Sequence, residues 1–209
     1  MIFKQIKSGG DRNFAYLAGC QKTRDGALVD PAPDPEAVMK AVNGHGVNIR
    51  FIINTHSHHD HSSGNEYFKK LPYPPRFIHC SEDTRVKDGE VLKMGELIIK
   101  FIYTPGHTKD SICIKIEDKL LTGDTLFVGK VGGTWSSKDA KTQFCSLKKI
   151  FTLPAHTEIW PGHDVGVKPS STIGFEAEKN PFIKRLSDFD DFLWLKKNWS
   201  TYKNEHGIK

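Results

Sequence analysis

A chain of 209 residues has room for one sizeable hydrophobic core or two small lobes, and its length favours one principal domain with an appendage. Hydrophobic residues make up 37% and charged residues 26%, with 13 Phe and 4 Trp, a composition that excludes a disordered chain. The formal charge of +5 is scattered except toward the tail from Lys184 onward, so no concentrated basic face argues for nucleic acid.

Cys20, Cys80, Cys113 and Cys145 lie far apart with no CxxC pair, and Met1-Ile2-Phe3-Lys4-Gln5 lacks the apolar run of a signal peptide. The expected compartment is therefore the reducing cytoplasm. No apolar stretch approaches the ~20 residues that a membrane span needs, so no membrane partner is expected.

In chain order, short strands are predicted at Ile2 to Ile6, Phe14 to Gly19 and Gly26 to Val29, followed by a Pro-started helix from Pro35 to Val42. Ile49-Arg50-Phe51-Ile52-Ile53-Asn54 is β-branched and mostly apolar, as in a strand buried on both faces, and it ends at Thr55-His56. Further strands are expected at Arg76 to His79, Glu96 to Tyr103, Ser111 to Ile116, Leu120 to Thr122 and Glu158 to Trp160. Helices fit Ser63 to Lys70 and Asp139 to Phe151, the second with Phe144, Leu147 and Ile150 at helical spacing. Strands and helices mixed in this way predict a layered α/β architecture.

Beyond His163 the polar run Lys168-Pro169-Ser170-Ser171-Thr172 reads as a linker, and Asn180-Pro181 as a second break. Leu186, Phe189, Leu193 and Trp194 then place an apolar stripe on a helix between Ile183 and Tyr202. The expected organisation is a principal domain over residues 1–168 and a helical appendage over 169–209.

Four of the predicted strands run into residues of metal-ligand type. Ile52-Ile53 leads to a His cluster, Ile102-Tyr103 to Pro105-Gly106-His107, Leu120-Leu121 to Gly123-Asp124, and Ile159-Trp160 to Pro161-Gly162-His163. Loops at one edge of a rigid sheet are where catalytic groups usually sit. Thr55-His56-Ser57-His58-His59-Asp60-His61 carries the spacing HxHxDH, and imidazole nitrogen with carboxylate oxygen suits zinc and similar divalent ions. Read as an extended turn, it points His56, His58 and Asp60 one way and His61 another, so one loop can begin two sites. Gly106 and Gly162 are expected to relieve the backbone where His107 and His163 turn off their strands, and Asp124 can bridge ions ~3.5 to 4 Å apart. His59 occupies the variable position and reads as an outer or exposed residue. His45, His79, His156 and His206 sit in no ligand-like spacing, and Cys113 reads as core.

These motifs resemble the metallo-β-lactamase superfamily, and within it the glyoxalase II branch of hydroxyacylglutathione hydrolases. The resemblance runs from Asp30-Pro31 through the HxHxDH loop, Thr104-Pro105-Gly106-His107-Thr108, Gly123-Asp124-Thr125-Leu126-Phe127 and Pro161-Gly162-His163-Asp164. It extends to Pro169-Ser170-Ser171-Thr172-Ile173, Glu176 and Asn180-Pro181-Phe182, which are similar to the passage into a glyoxalase II helical lid.

The resemblance implies a four-layer αβ/βα sandwich with a short C-terminal helical appendage. It implies two divalent metal ions, zinc in first place with iron or manganese as other occupants. His56, His58 and His107 would hold one ion, and Asp60, His61 and His163 the other, with Asp124 bridging and Asp60 counted as catalytic. A metal-bridged hydroxide would cleave a small-molecule thioester of the hydroxyacylglutathione type. Lys184 and Arg185 stand roughly where the family places basic glutathione contacts. The chain departs from the family at Lys130-Val131-Gly132-Gly133-Thr134-Trp135, where the usual lysine falls on Gly133 and the usual tyrosine is missing.

The rival function is a mononuclear-iron glutathione persulfide dioxygenase, a related branch whose iron ligands match His56, His107 and Asp124. That branch has GRTD where this chain has Gly132-Gly133-Thr134-Trp135. A secreted β-lactamase would need a signal peptide and a zinc-binding cysteine, a nuclease would need an inserted domain or clamping arm, and a flavodiiron protein would carry glutamate at His58. A purely structural zinc module is disfavoured because such sites are closed and built from four ligands.

Overall fold

The computed structural model describes residues 1–207 and divides into two compact units. The first comprises Met1–Ile102 with Ile114–Glu117, and the second Tyr103–Cys113 with the chain from Asp118 onward.

In the first unit, β1 (Ile2–Lys7), β2 (Phe14–Gly19), β3 (Asp25–Val29), β4 (Asn48–Ile53) and β5 (Arg76–Ile78) form a mixed sheet in sequence order. β1, β2 and β3 pair antiparallel, whereas β3, β4 and β5 pair parallel. A parallel neighbour needs a crossover, and α1 (Pro35–Val42) makes the one from β3 to β4. Pro35 starts that helix with φ already set, and the Asp34 carboxylate accepts from the Ala37 N–H at 2.9 Å. Val38 and Val42 then pack on Ile6, Leu17, Leu28, Ile52 and Phe68. Each such fully buried side chain contributes about 1.5–3 kcal/mol, and Leu28→Ala would cost about 2–5 kcal/mol. β6 (Val91–Met94), which the sequence reading did not anticipate, pairs antiparallel with β7 (Leu97–Tyr103).

β8 (Ile112–Ile116) follows, its last three residues counted with the first unit. Cys113 on it is fully buried, as expected of a core position.

In the second unit, β9 (Lys119–Gly123) pairs parallel with β12 (Glu158–Pro161), and β12 antiparallel with β13 (Ser171–Thr172). β10 (Leu126–Phe127) and β11 (Lys130–Val131) make a small hairpin. The helices here are α4 (Ser137–Ile150), α5 (Ile173–Lys179), α6 (Phe189–Lys197) and α7 (Trp199–Glu205). α4 is capped by Ser136, whose hydroxyl accepts from the Asp139 N–H, and it buries Phe144, Leu147 and Ile150 as its spacing predicted.

The structure corrects several local expectations. The helix predicted over Ser63 to Lys70 is shorter, α3 (Asn65–Lys69), and a separate short helix that was not anticipated, α2 (His59–Ser62), precedes it. The metal-motif segment is therefore not extended throughout: His58 is the N-cap residue of α2, and Asp60 and His61 stand on a helical turn. The polar run Lys168 to Thr172 is not all linker, since Ser171–Thr172 pairs with β12 and the Thr172 hydroxyl caps α5.

The helix expected between Ile183 and Tyr202 is broken into a 3-10 turn (Ile183–Arg185), α6 and α7. Asp188 adopts an extended conformation so that its carboxylate can accept from the Asp190 and Asp191 N–H groups, and this resets the helical phase. Phe192 and Leu195 are consequently the buried residues of α6, whereas Trp194 is 51% exposed. Phe192 packs edge-on against Phe144 of α4 and against Phe182, which also touches Trp199.

Candidate metal centre

The first unit gathers His56, His58, Asp60 and His61 just beyond β4. Asp30, immediately after β3, receives the loop: its carboxylate accepts from the Thr55 N–H at 2.8 Å, the Thr55 hydroxyl at 2.7 Å and His61 Nδ1 at 3.0 Å. The Thr55 hydroxyl, having donated to Asp30, is left to accept from His56 Nδ1 at 3.0 Å. Both imidazoles therefore carry their proton on Nδ1 and present the Nε2 lone pair, the form that ligates a metal. His58 lies 4.7 Å and His61 4.2 Å from His56, ring centre to ring centre. Ligand atoms within 4.8 Å of one another are offered by His56 with His58, by His56 with His61 and by Asp60 with His61.

Asp60 is held from a distant turn. Asn13 Nδ2 donates to its Oδ2 at 2.9 Å and to its backbone carbonyl at 3.2 Å. The helical turn itself is braced by Asn54, whose amide donates to the His61 carbonyl and accepts from Asn65. His59 is exposed, as its variable position in the motif suggested.

The second unit gathers His107, Asp124 and His163. Asp124 Oδ2 lies 3.6 Å from His107 Nε2 and 3.3 Å from His163 Nε2. His107 Nδ1 donates to the Gly133 carbonyl at 2.9 Å, so this ring also presents Nε2. Gly106 turns His107 off β7 at φ +141°, and any Cβ there would lie 2.4 Å from that of Gln143, so the position tolerates only glycine. The same reasoning does not extend to Gly162, which has no positive φ. The arrangement in each unit, imidazoles and a carboxylate with fixed tautomers, fits a borderline divalent ion such as zinc.

Of the basic residues anticipated as substrate contacts, Lys184 is exposed, and Arg185 donates to Asp191 at 3.0 Å and to the Pro181 carbonyl at 2.9 Å. The cation that sequence reasoning missed is Lys196. It lines a cleft of about 490 Å³ together with Gly132, Gly133, Trp135, Phe182 and Trp199. Burial pushes its ammonium down to about 7. Its only sequence signal is a lysine next to the buried Leu195, which does not separate it from a solvated one. Asn13 and Gln143 likewise carry no motif, whereas Asp30 at a strand end beside Pro31 is the one partner that the ligand pattern could have flagged.

Residues 9–79 and 69–163 match the family model described as the metallo-beta-lactamase superfamily. The chain belongs to that superfamily. Within it the chain falls in the glyoxalase II branch, among several hydroxyacylglutathione hydrolases at 32–35% identity. "Probable hydroxyacylglutathione hydrolase glo2" of Schizosaccharomyces pombe is 34% identical over 194 residues, 87% of this chain and 75% of that protein. The human mitochondrial persulfide dioxygenase ETHE1 is 30% identical, with the same shares of each chain. Among solved structures, ETHE1 from Myxococcus xanthus superposes with a TM-score of 0.86 at 27% identity, over 95% of this chain and 91% of that one. The αβ/βα metallo-β-lactamase fold read from the motifs is thus borne out. The chain spans between 65% and 79% of the length of these hydroxyacylglutathione hydrolases and their yeast and bacterial relatives of the same name. Members of this superfamily bind metal ions, and among the described residues no helix is long and apolar enough to cross a membrane.

Proposed function

We propose that this metallo-β-lactamase relative is a metal-dependent hydrolase that cleaves a small-molecule thioester of the hydroxyacylglutathione type. In this reading His56, His58 and His107 would hold one divalent ion and Asp60, His61 and His163 a second, with Asp124 available to both. The observation that carries it is the common orientation of the candidate ligand histidines: His56, His61 and His107 each engage an oxygen of the protein through Nδ1, which makes Nε2 the ring nitrogen with the ligating lone pair. Metal ions at these donors would bring the pKa of a water toward neutrality and polarise the thioester carbonyl. Asp60, steadied by Asn13, would help to hold the second ion and to orient the attacking water. The thiolate leaves with little acid assistance, so no dedicated proton donor is required.

The finer organisation follows the same reading: a catalytic domain over residues 1–168, a helical appendage over 169–209, no nucleic-acid partner, and residence in the cytoplasm. The four cysteines are all unbridged, which supports a reducing compartment.

A second reading, a mononuclear-iron persulfide dioxygenase, is favoured by the near full-length superposition on the Myxococcus xanthus structure. Against it stands Gly133, where that branch has arginine. The deciding experiment is elemental analysis of protein purified without added metal, followed by assay on S-lactoylglutathione and on glutathione persulfide. About two equivalents of zinc, manganese or mixed ions with thioester cleavage is the expected result. About one equivalent of iron with oxygen uptake would establish the dioxygenase instead. Asp124→Ala should abolish cleavage and loosen both metals, whereas His59→Ala should stay within about tenfold of the parent.

A further inference from the structure

The peptide that receives His107 has little of its own to hold it in place. Gly132 and Gly133 follow the β10–β11 hairpin, and a Cβ on Gly133 would meet nothing within 4 Å. Two consecutive glycines without side-chain packing form a segment of high backbone freedom. Yet Gly132 is pressed against the site, since a Cβ there would lie 1.8 Å from the Asp124 carbonyl oxygen and 3.3 Å from His107 Nδ1.

What restrains it arrives from α6 and α4. Lys196 Nζ donates to the Gly132 carbonyl at 2.8 Å and to Gln143 Oε1 at 2.6 Å, while Gln143 Nε2 donates to the same Gly132 carbonyl at 3.1 Å. Gln143 is fully buried and packs against Gly106, the residue before His107. A carbonyl, an amide and an ammonium thus close a three-membered polar cluster directly behind the Gly133 carbonyl that takes the His107 proton.

We propose that Lys196 is a positioning residue for His107: by tethering the Gly132 carbonyl it fixes the Gly132–Gly133 peptide and, through it, the adjoining Gly133 carbonyl, which in turn orients the imidazole with Nε2 presented to the metal. This rests on the reading of His107 as a ligand. A shift of the peptide by about 1 Å would carry the 2.9 Å bond from His107 past the range of a hydrogen bond. Burying an ammonium is unfavourable in itself, so its retention between two acceptors is accounted for by what it holds. No fixed side chain of the glycine pair could substitute for it.

The test is zinc affinity of the full chain, measured by competition with a chromophoric chelator, for the parent, Lys196→Met, Lys196→Arg and His107→Ala. Expected is a loss of about 10- to 100-fold in the affinity of one site for Lys196→Met, with Lys196→Arg recovering most of it. Unchanged zinc affinity in a folded Lys196→Met protein would overturn the proposal. Should that variant fail to fold, ¹⁵N-histidine spectra of the metal-free parent decide: His107 must be protonated on Nδ1, and protonation on Nε2 refutes the tether. His107→Ala separates the two levels, because wild-type affinity in that variant would remove the ligand reading itself, independently of Lys196.

Discussion

His61 Nδ1 stands 3.0 Å from Asp30 Oδ2, with both side chains buried, and the same carboxylate takes the backbone and hydroxyl protons of Thr55. Asp30 therefore sets both the loop path and the ring orientation. Asp30→Ala would orphan three donors at about 1–3 kcal/mol each before relaxation, so a loss of about 3 kcal/mol in urea unfolding is expected. Asp30→Asn keeps the volume and should weaken zinc binding by about 10- to 100-fold. A variant with parental zinc affinity would show that the carboxylate does not act through His61.

Asn13 reaches Asp60 from a turn 47 residues away in sequence. Asn13→Ala removes the amide that steadies the carboxylate oxygen and leaves the ring contacts intact. Thioester turnover should fall about tenfold, with the larger effect on kcat. A change confined to KM would place Asn13 with substrate binding instead.

Two adjacent glycines should respond oppositely to substitution. Gly132→Ala forces a methyl into the Asp124 carbonyl, and a loss of about 1–3 kcal/mol with a strong fall in turnover is expected. Gly133→Lys enters open space, so stability should move by no more than about 0.5 kcal/mol. Because this restores the lysine of the resembling family, KM for S-lactoylglutathione should drop several-fold. An unchanged KM would mean that the carrier thiol is not glutathione.

Lys196 gives a pH signature. Its folded pKa is about 7, and an unfolded lysine titrates near 10.4. Between these values the unfolded chain binds the extra proton, so this group adds stability as pH rises through the window and loses it as pH falls toward 7. Urea midpoints of the parent relative to Lys196→Met should therefore improve from pH 7 to pH 9.5. A difference constant over that range would mean that the ammonium stays charged throughout.

The strand ends and their ligands were legible because β-branched runs such as Ile49 to Ile53 break abruptly at His56, and because HxHxDH is a rare spacing. The helical turn under Asp60 and His61 was not, since a four-residue helix rich in histidine has no periodicity to read. The division of the last helices was hidden in the same way: Asp188 looks like one more surface charge until its carboxylate is seen to cap α6. Lys196, Asn13 and Gln143 engage their partners through long-range hydrogen bonds, which leave no trace in local pattern.

Glu176 on α5 is fully buried, and its Oε2 accepts from the Gly129 N–H at 2.9 Å and from Asn180 at 2.8 Å. This joins the turn after β10 to the segment following β13 through one carboxylate. Anyone exchanging C-terminal helices between relatives to alter selectivity would have to place the crossover beyond Asn180. A seam in the polar stretch before Ser171 would import Glu176 and Asn180 from one parent and leave the Gly129–Lys130 turn that they hold in the other.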